Sequence, residues 1–155
     1  MDSIQQRILA TFDQLERDSL DLHTLLEFVG GNPPAQREAV FDAVSALLKD
    51  GLLREDGGGD FYRRTEEGRL AVAGPREITL YTRKGCHLCD DAKAAIAPLL
   101  AEFGATLREV DIDDNPLSRE RYTNDVPVVF LGSQMFARHR LDGALLRREL
   151  QKANA

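Results

Sequence analysis

Thr82-Arg83-Lys84-Gly85-Cys86-His87-Leu88-Cys89-Asp90 joins two segments of different periodicity. Before it, Ile78-Thr79-Leu80-Tyr81 is a short run rich in β-branched and aromatic residues, the pattern of a strand. After it, Ala92, Ile96, Leu99, Leu100 and Phe103 recur at helical spacing. The stretch therefore reads as strand, turn, and C-x-x-C at a helix start. Cys89 lies three residues before Ala92 and belongs to the buried stripe, whereas Cys86 falls at the more accessible helix N-terminus. Unpaired N–H groups and the helix dipole favour a thiolate there. Arg83 and Lys84 add positive charge, while Asp90 and Asp91 oppose it. A cationic His87 would stabilise the thiolate further, so Lys84 and His87 are the candidates for tuning it.

Two cysteines at this spacing can close a small disulfide ring, one attacking and the other resolving. Zinc ordinarily takes four ligands, and C-x-x-C with His87 supplies at most three. His23 and His139 are distant in sequence and carry no motif, so no metal is expected. Asp111-Ile112-Asp113-Asp114-Asn115 is not read as a calcium loop, because Pro116 stands where the turn glycine belongs. A pair of inert cysteines is the remaining alternative. The redox dithiol is preferred because a βαβ pattern surrounds it. Leu107–Ile112 reads as a second strand, and Pro116 opens a short helix through Tyr122. Val126-Pro127-Val128-Val129-Phe130-Leu131 is a third strand, and Met135-Phe136-Ala137 a fourth. Asp142 can cap a last helix carrying Leu145, Leu146 and Leu150. Pro98 is expected to interrupt and kink the long helix.

The order β-α-β-α-β-β-α, with C-x-x-C at the first helix and X-Pro at the third strand, resembles glutaredoxins and thioredoxins over residues 76–152. Thr82–Asp90, Asp111-Ile112-Asp113, Tyr122 and Val126-Pro127-Val128 look most like the bacterial glutaredoxin-like family whose active site is Cys-His-Leu-Cys. That resemblance implies Cys86 as nucleophile, Cys89 as resolving thiol and Pro127 as a cis-proline beside them. It implies that Val126 offers its backbone N–H and C=O to an extended substrate segment. Arg83 matches the basic position that in glutaredoxins meets a glutathione carboxylate; the alternative is a solvated surface arginine. The chain departs from the pattern at Asp125, where glutaredoxins commonly have threonine. It departs again at Ala137-Arg138-His139, where they carry a glycine pair. Arg138, His139 and Arg140 could compensate toward an anionic ligand or form a surface cluster.

The other half of the chain has a different character. The 155 residues carry a net charge of −6. Residues 1–75 hold 8 Lys+Arg against 14 Asp+Glu, and residues 76–155 hold 12 against 12, so the whole imbalance lies in the first half. Ala73-Gly74-Pro75 is the expected boundary, dividing the chain into 1–74 and 75–155. Ile4, Ile8, Phe12 and Leu15 form one helical stripe; Leu22, Leu25, Leu26 and Val29 form a second, closed by Gly30-Gly31. Pro33-Pro34 opens a third, with stripe Val40, Phe41, Val44, Leu47 and Leu48. Leu52-Leu53-Arg54 and Phe61-Tyr62-Arg63 then read as the two strands of a hairpin around Gly57-Gly58-Gly59, and Thr65 can cap a final short helix. This order resembles a winged helix over residues 3–73. Such a domain binds DNA through its third helix and wing. Here that helix mixes Arg37 and Lys49 with Glu38, Asp42 and Asp50, and Asp56 and Asp60 bracket the wing tip. Arg63, Arg64 and Arg69 are its one basic cluster. A protein contact or self-association is favoured over DNA, which a net acidic unit repels.

Hydrophobic residues at 43% support a packed core and argue against wholesale disorder. No apolar run approaches the roughly 18 residues of a membrane span. Met1–Arg7 lacks a basic region followed by an apolar one, so a standard secretory signal is not expected and a cytoplasmic location is. The expectation is an α/β thioredoxin-like domain after a small α+β winged helix. Its activity would be a Cys86/Cys89 thiol–disulfide oxidoreductase, acting on disulfide-containing proteins or glutathione, with no tightly bound cofactor. The alternative is a redox-responsive regulator in which the dithiol state controls what the first unit binds.

Overall fold

The computed structural model describes residues 1–30 and 33–153. The chain divides into two compact units, Met1–Val72 and Ala73–Ala155.

The first unit runs α1 (Ser3–Gln14), β1 (Ser19–Asp21), α2 (Leu22–Val29), α3 (Pro34–Lys49), β2 (Leu53–Glu55), β3 (Phe61–Arg64) and α4 (Glu66–Ala71). Asp2 and Gln5 form a reciprocal capping box at α1, and Asp21 caps α2 through the Thr24 N–H. Gly30 ends α2 at φ 88, where a side chain would be strained; Gly31, read with it as the stop signal, lies outside the described residues. Ile8, Leu9, Phe12, Leu20, Leu25, Val44, Leu47 and Leu53 form the buried core.

Two expectations are corrected here. The sheet is not a two-stranded hairpin: β1 pairs antiparallel with β3, giving the order β1-β3-β2. Ser19-Leu20-Asp21 is too short for an alternation to show in sequence, and Leu20 is held by burial rather than by strand propensity. Phe41 does not belong to the buried stripe of α3. It is 42% exposed, and Val40, Ala43, Val44 and Leu47 turn inward instead. Positions 40, 43, 44 and 47 are the i, i+3, i+4, i+7 set of one helical face, and Phe41, a further 100° round from Val40, falls outside it.

Arg64 locks the two ends of this unit together. Its guanidinium donates to both Asp13 carboxylate oxygens, at 2.8 and 2.6 Å, and to the Leu9 carbonyl at 2.7 Å. Arg69 also pairs with Asp13, at 2.7 Å. The Thr65 hydroxyl accepts from the Gly68 N–H and donates to the Gly51 carbonyl, tying α4 to the turn after α3.

The second unit runs β4 (Glu77–Thr82), α5 (His87–Phe103), β5 (Thr106–Asp111), a 3-10 turn (Ile112–Asp114), α6 (Pro116–Tyr122), β6 (Val128–Leu131), β7 (Gln134–Arg138) and α7 (Gly143–Ala153). The sheet order is β5-β4-β6-β7, with β4 and β5 parallel and the other pairs antiparallel. Ile78, Leu80 and Val129 of the sheet pack with Ala92, Ile96 and Leu99 of α5 and with Leu146 and Leu150 of α7. On the opposite face Tyr81 lies against Tyr122 and Phe130, with ring centroids 4.7 and 5.7 Å apart. Asp142 caps α7 by accepting from the Ala144 and Leu145 N–H groups.

Pro98 does not interrupt α5, which runs through it from His87 to Phe103. Pro98 and Ala94 both lie on the exposed face, so the carbonyl that loses its helical donor faces solvent, where the loss costs least. Ile112, assigned by sequence to the second strand, falls in the 3-10 turn and is fully buried there. Among the described residues, no helix is long and apolar enough to cross a membrane.

Candidate functional site

The register of the four strands gathers one set of loops. Thr82 pairs with Asp111, Tyr81 with Val128, and Val128 with Arg138. The segments 83–86, 112–113, 126–127 and 139–140 therefore all meet the sheet at the same end.

At that end Gly85, with φ 74, turns the chain from β4 into α5. Cys86 is the N-cap of α5, half-buried, and its Sγ accepts from the Cys89 N–H at 3.2 Å. Cys89 is 2% exposed and lies on the buried stripe with Ala92 and Ile96. The two are disulfide-bonded, with Cα atoms 5.2 Å apart. One sulfur is thus accessible at a helix N-terminus and its partner is shielded behind it. The N–H that contacts Cys86 Sγ is also placed to stabilise negative charge on that sulfur once the bond opens. Lys84 and His87 flank Cys86 and are both exposed.

Arg83 is engaged within the chain. Its Nε and Nη2 each donate to an Asp113 carboxylate oxygen at 3.0 Å, and Nη2 reaches Thr123 Oγ1 at 3.3 Å. Arg119 joins from α6, with its Nε 3.3 Å from Asp113 Oδ1 and its Nη2 donating to the Asp113 carbonyl at 2.6 Å. The Arg83 hydrogen bonds, aided by the charges of Arg83 and Arg119, hold the Asp113 carboxyl below the usual carboxylate range. Sequence reasoning missed this partner. The available signal was the parallel pairing of β4 with β5, which brings residues just past Thr82 and Asp111 together.

The Val126–Pro127 peptide is cis, Pro127 is buried and Val126 half-buried. The Val126 N–H donates to the Tyr122 carbonyl at 3.2 Å and is thus engaged within the chain. His139 closes this corner. Its N–H donates to the Asp125 carbonyl at 3.0 Å and the Pro127 carbonyl at 2.9 Å, and its Nε2 lies 3.4 Å from Asp125 Oδ1. Its φ is 68, the left-handed conformation that glycine adopts without strain. Among the described residues, no group of three or more His, Cys, Asp or Glu side chains is placed to hold a metal ion.

A four-stranded mixed sheet with an N-capping C-x-x-C at its first helix and an X-Pro before its third strand defines a thioredoxin-like domain. The description "glutaredoxin-like domain (DUF836)" matches residues 77–151. The glutaredoxin-like protein YDR286C homolog of Dictyostelium discoideum is 36% identical over 80 residues, covering 48% of this chain and 74% of that protein. The chain belongs to the glutaredoxin-like family, and the family together with the Cys86–Cys89 pair points to a thiol redox function. Two solved structures are each similar to about half of the chain. The X-ray structure of the structural-genomics target protein XcR50 from X. campestris is 33% identical, covering 48% of this chain and 96% of that one, with a TM-score of 0.41. The solution structure of protein Ne2328 from Nitrosomonas europaea is 29% identical, covering 47% and 88%, with a TM-score of 0.42.

Proposed function

We propose that the protein is a thiol–disulfide oxidoreductase whose working group is the Cys86/Cys89 dithiol. The observation that carries this reading is the asymmetry of the pair, with Cys86 half-buried at a helix cap and Cys89 buried behind it. The Cys86 thiolate attacks one sulfur of a substrate disulfide, forming a mixed disulfide and expelling the other sulfur as a thiolate that takes a proton. Cys89, deprotonated in turn, attacks Cys86 Sγ, closing the intramolecular disulfide and releasing the second substrate thiol. Two electrons pass to the substrate, and an external dithiol restores the protein. Such a cycle suits a reducing compartment such as the cytoplasm.

The substrate we favour is a protein disulfide rather than glutathione. Arg83, the cation that would take a glutathione carboxylate, is already bound on two nitrogens by Asp113. His139 with its side chain occupies the corner where glycine would let a tripeptide backbone approach. Cys89→Ser should accumulate a mixed disulfide with a peptide substrate, visible by intact mass, and Cys86→Ser should abolish reduction. A wild-type protein inactive with both dithiol and glutathione donors, or a fully active Cys86→Ser variant, would overturn the reading.

We read the first unit as a winged helix, supported by its element order and antiparallel sheet. The three arginines of its basic cluster are held by acidic neighbours: Arg63 by Asp56 at 3.1 Å, and Arg64 and Arg69 by Asp13. That pairing favours a protein contact or self-association over DNA. The presence of this unit beside the redox domain's own sequence motivates the alternative of a redox-responsive regulator. Comparing oligomeric mass and DNA retardation in reduced and oxidised samples tests it; identical behaviour in both states removes the switch.

A further inference from the structure

Arg138 and Arg140 flank His139 in a basic stretch of the sequence. In the structure they line a cavity of about 400 Å³ where β7 meets α7. Helix α7 contributes two further cations, Arg148 and Lys152, and Phe136 and Leu145 supply apolar surface. The two acidic groups in the lining are both engaged: Asp142 caps α7, and Glu149 takes Lys152 at 2.9 Å. Arg138 donates only to the Met135 sulfur, at 3.5 Å, and Arg140 and Arg148 have no carboxylate partner among the described residues. Three guanidinium groups thus line one concavity with no carboxylate in ion-pair contact with them among the described residues, and the lining holds four cations against two carboxylates. β7 is the terminal strand of its sheet, so its outward N–H and C=O groups have no strand to pair with. Leu145 is 47% and Met135 42% exposed. Arg138 also stands opposite Val128, one residue past the cis Val126–Pro127 peptide, so the Arg138 side of the groove lies toward the dithiol end of the sheet.

We infer that this corner is a docking site for an extended acidic segment of the disulfide-bearing protein substrate. The segment lies along β7, presenting carboxylates to Arg138, Arg140 and Arg148 and an apolar side chain to Phe136 and Leu145. An extended peptide uses both features, the unpaired strand edge and the spaced guanidinium groups, whereas a small anion uses only the charges. As a substrate site it rests on the oxidoreductase reading, but its test does not.

The probe is a fluorescein-labelled, cysteine-free peptide with three glutamates and one leucine, titrated by anisotropy against the full chain in its disulfide form. Its glutamine counterpart serves as control. The acidic peptide should bind at least ~tenfold more tightly than the glutamine one at low ionic strength, and binding should weaken as salt rises. Arg140→Gln with Arg148→Gln should weaken it by roughly fivefold or more, as expected for two exposed charge contacts. Both side chains are exposed, so the fold should be retained. The same double variant should reduce the small neutral bis(2-hydroxyethyl) disulfide at the wild-type rate. Equal affinity for the two peptides, or an unaffected double variant, would overturn the docking site. So would displacement by inorganic phosphate at matched ionic strength, which would reassign the cavity to small anions. Inactivity on every disulfide would instead count against the oxidoreductase reading, because the binding measurement needs no turnover.

Discussion

Asp113 decides what Arg83 can do. A guanidinium satisfied on two nitrogens by a carboxylate has its strongest directions taken, and an incoming carboxylate must displace that partner. Replacing Asp113 with Asn removes the competing charge while keeping the shape. The expected outcome is a KM for glutathione lowered severalfold, with the rate from a protein dithiol donor unchanged; an unaltered KM would show that Arg83 does not meet this ligand. Asp13 plays the equivalent part in the first unit. Its carboxyl is held below its ordinary value, chiefly by the hydrogen bond from Arg64 and also by the charges of Arg64 and Arg69. A depressed folded-state value means that the pair's contribution is complete above the unfolded carboxylate value, about 4, and is lost as pH falls through the folded one. Asp13→Asn should cost about 1–2 kcal/mol near neutral pH, since it strips the charged partner from a largely buried guanidinium. Thermal melts of the two proteins should draw together as pH falls below about 4. A constant gap across that range would assign the effect to shape rather than charge.

At the scale of elements, α4 packs against the turn between α3 and β2 more closely than a side chain permits. A Cβ added at Gly68 would sit 2.1 Å from the Leu52 carbonyl oxygen and 2.9 Å from Arg64 Cγ. The Leu52 carbonyl also accepts from the Thr65 N–H at 3.1 Å, so this backbone is fixed from two sides. Gly68→Ala should therefore destabilise the first unit by about 2 kcal/mol or more, despite the better helix propensity of alanine. Urea unfolding of the two proteins measures it, and an unchanged or raised midpoint would contradict the close approach. In α5 the arrangement works the other way. The helix tolerates Pro98 because its unsatisfied carbonyl faces outward, leaving Ile96 and Leu99 in the core.

At the scale of the whole molecule, each unit has its own buried core: Ile8 through Leu53 in one, Ile78 through Leu150 in the other. Cores without shared members give separate cooperative units. The fragment Ala73–Ala155 is expected to fold alone and to keep the Cys86/Cys89 redox midpoint of the full chain. Circular dichroism and a glutathione redox titration check this, and a fragment lacking a cooperative melt would refute it. Some features were legible in the chain as written because their physics is local. The C-x-x-C at a strand–helix junction, the helix stripes, the Thr65 and Asp142 caps and the glycine stops depend only on neighbours within a few residues. Other features required distant strands to be placed side by side. Parallel pairing of β4 with β5 delivers Asp113 to Arg83, and β1 exists only because β3 offers it an edge. The cavity that joins Arg138 and Arg140 to Arg148 arises where β7 folds back on α7. The sequence by itself determined which sulfur lies at the helix cap and which in the core, since helical periodicity alone sets that. Only the tertiary structure decided which charges are satisfied and which remain open to a partner, because an ion pair is fixed by distance in space and not by separation along the chain.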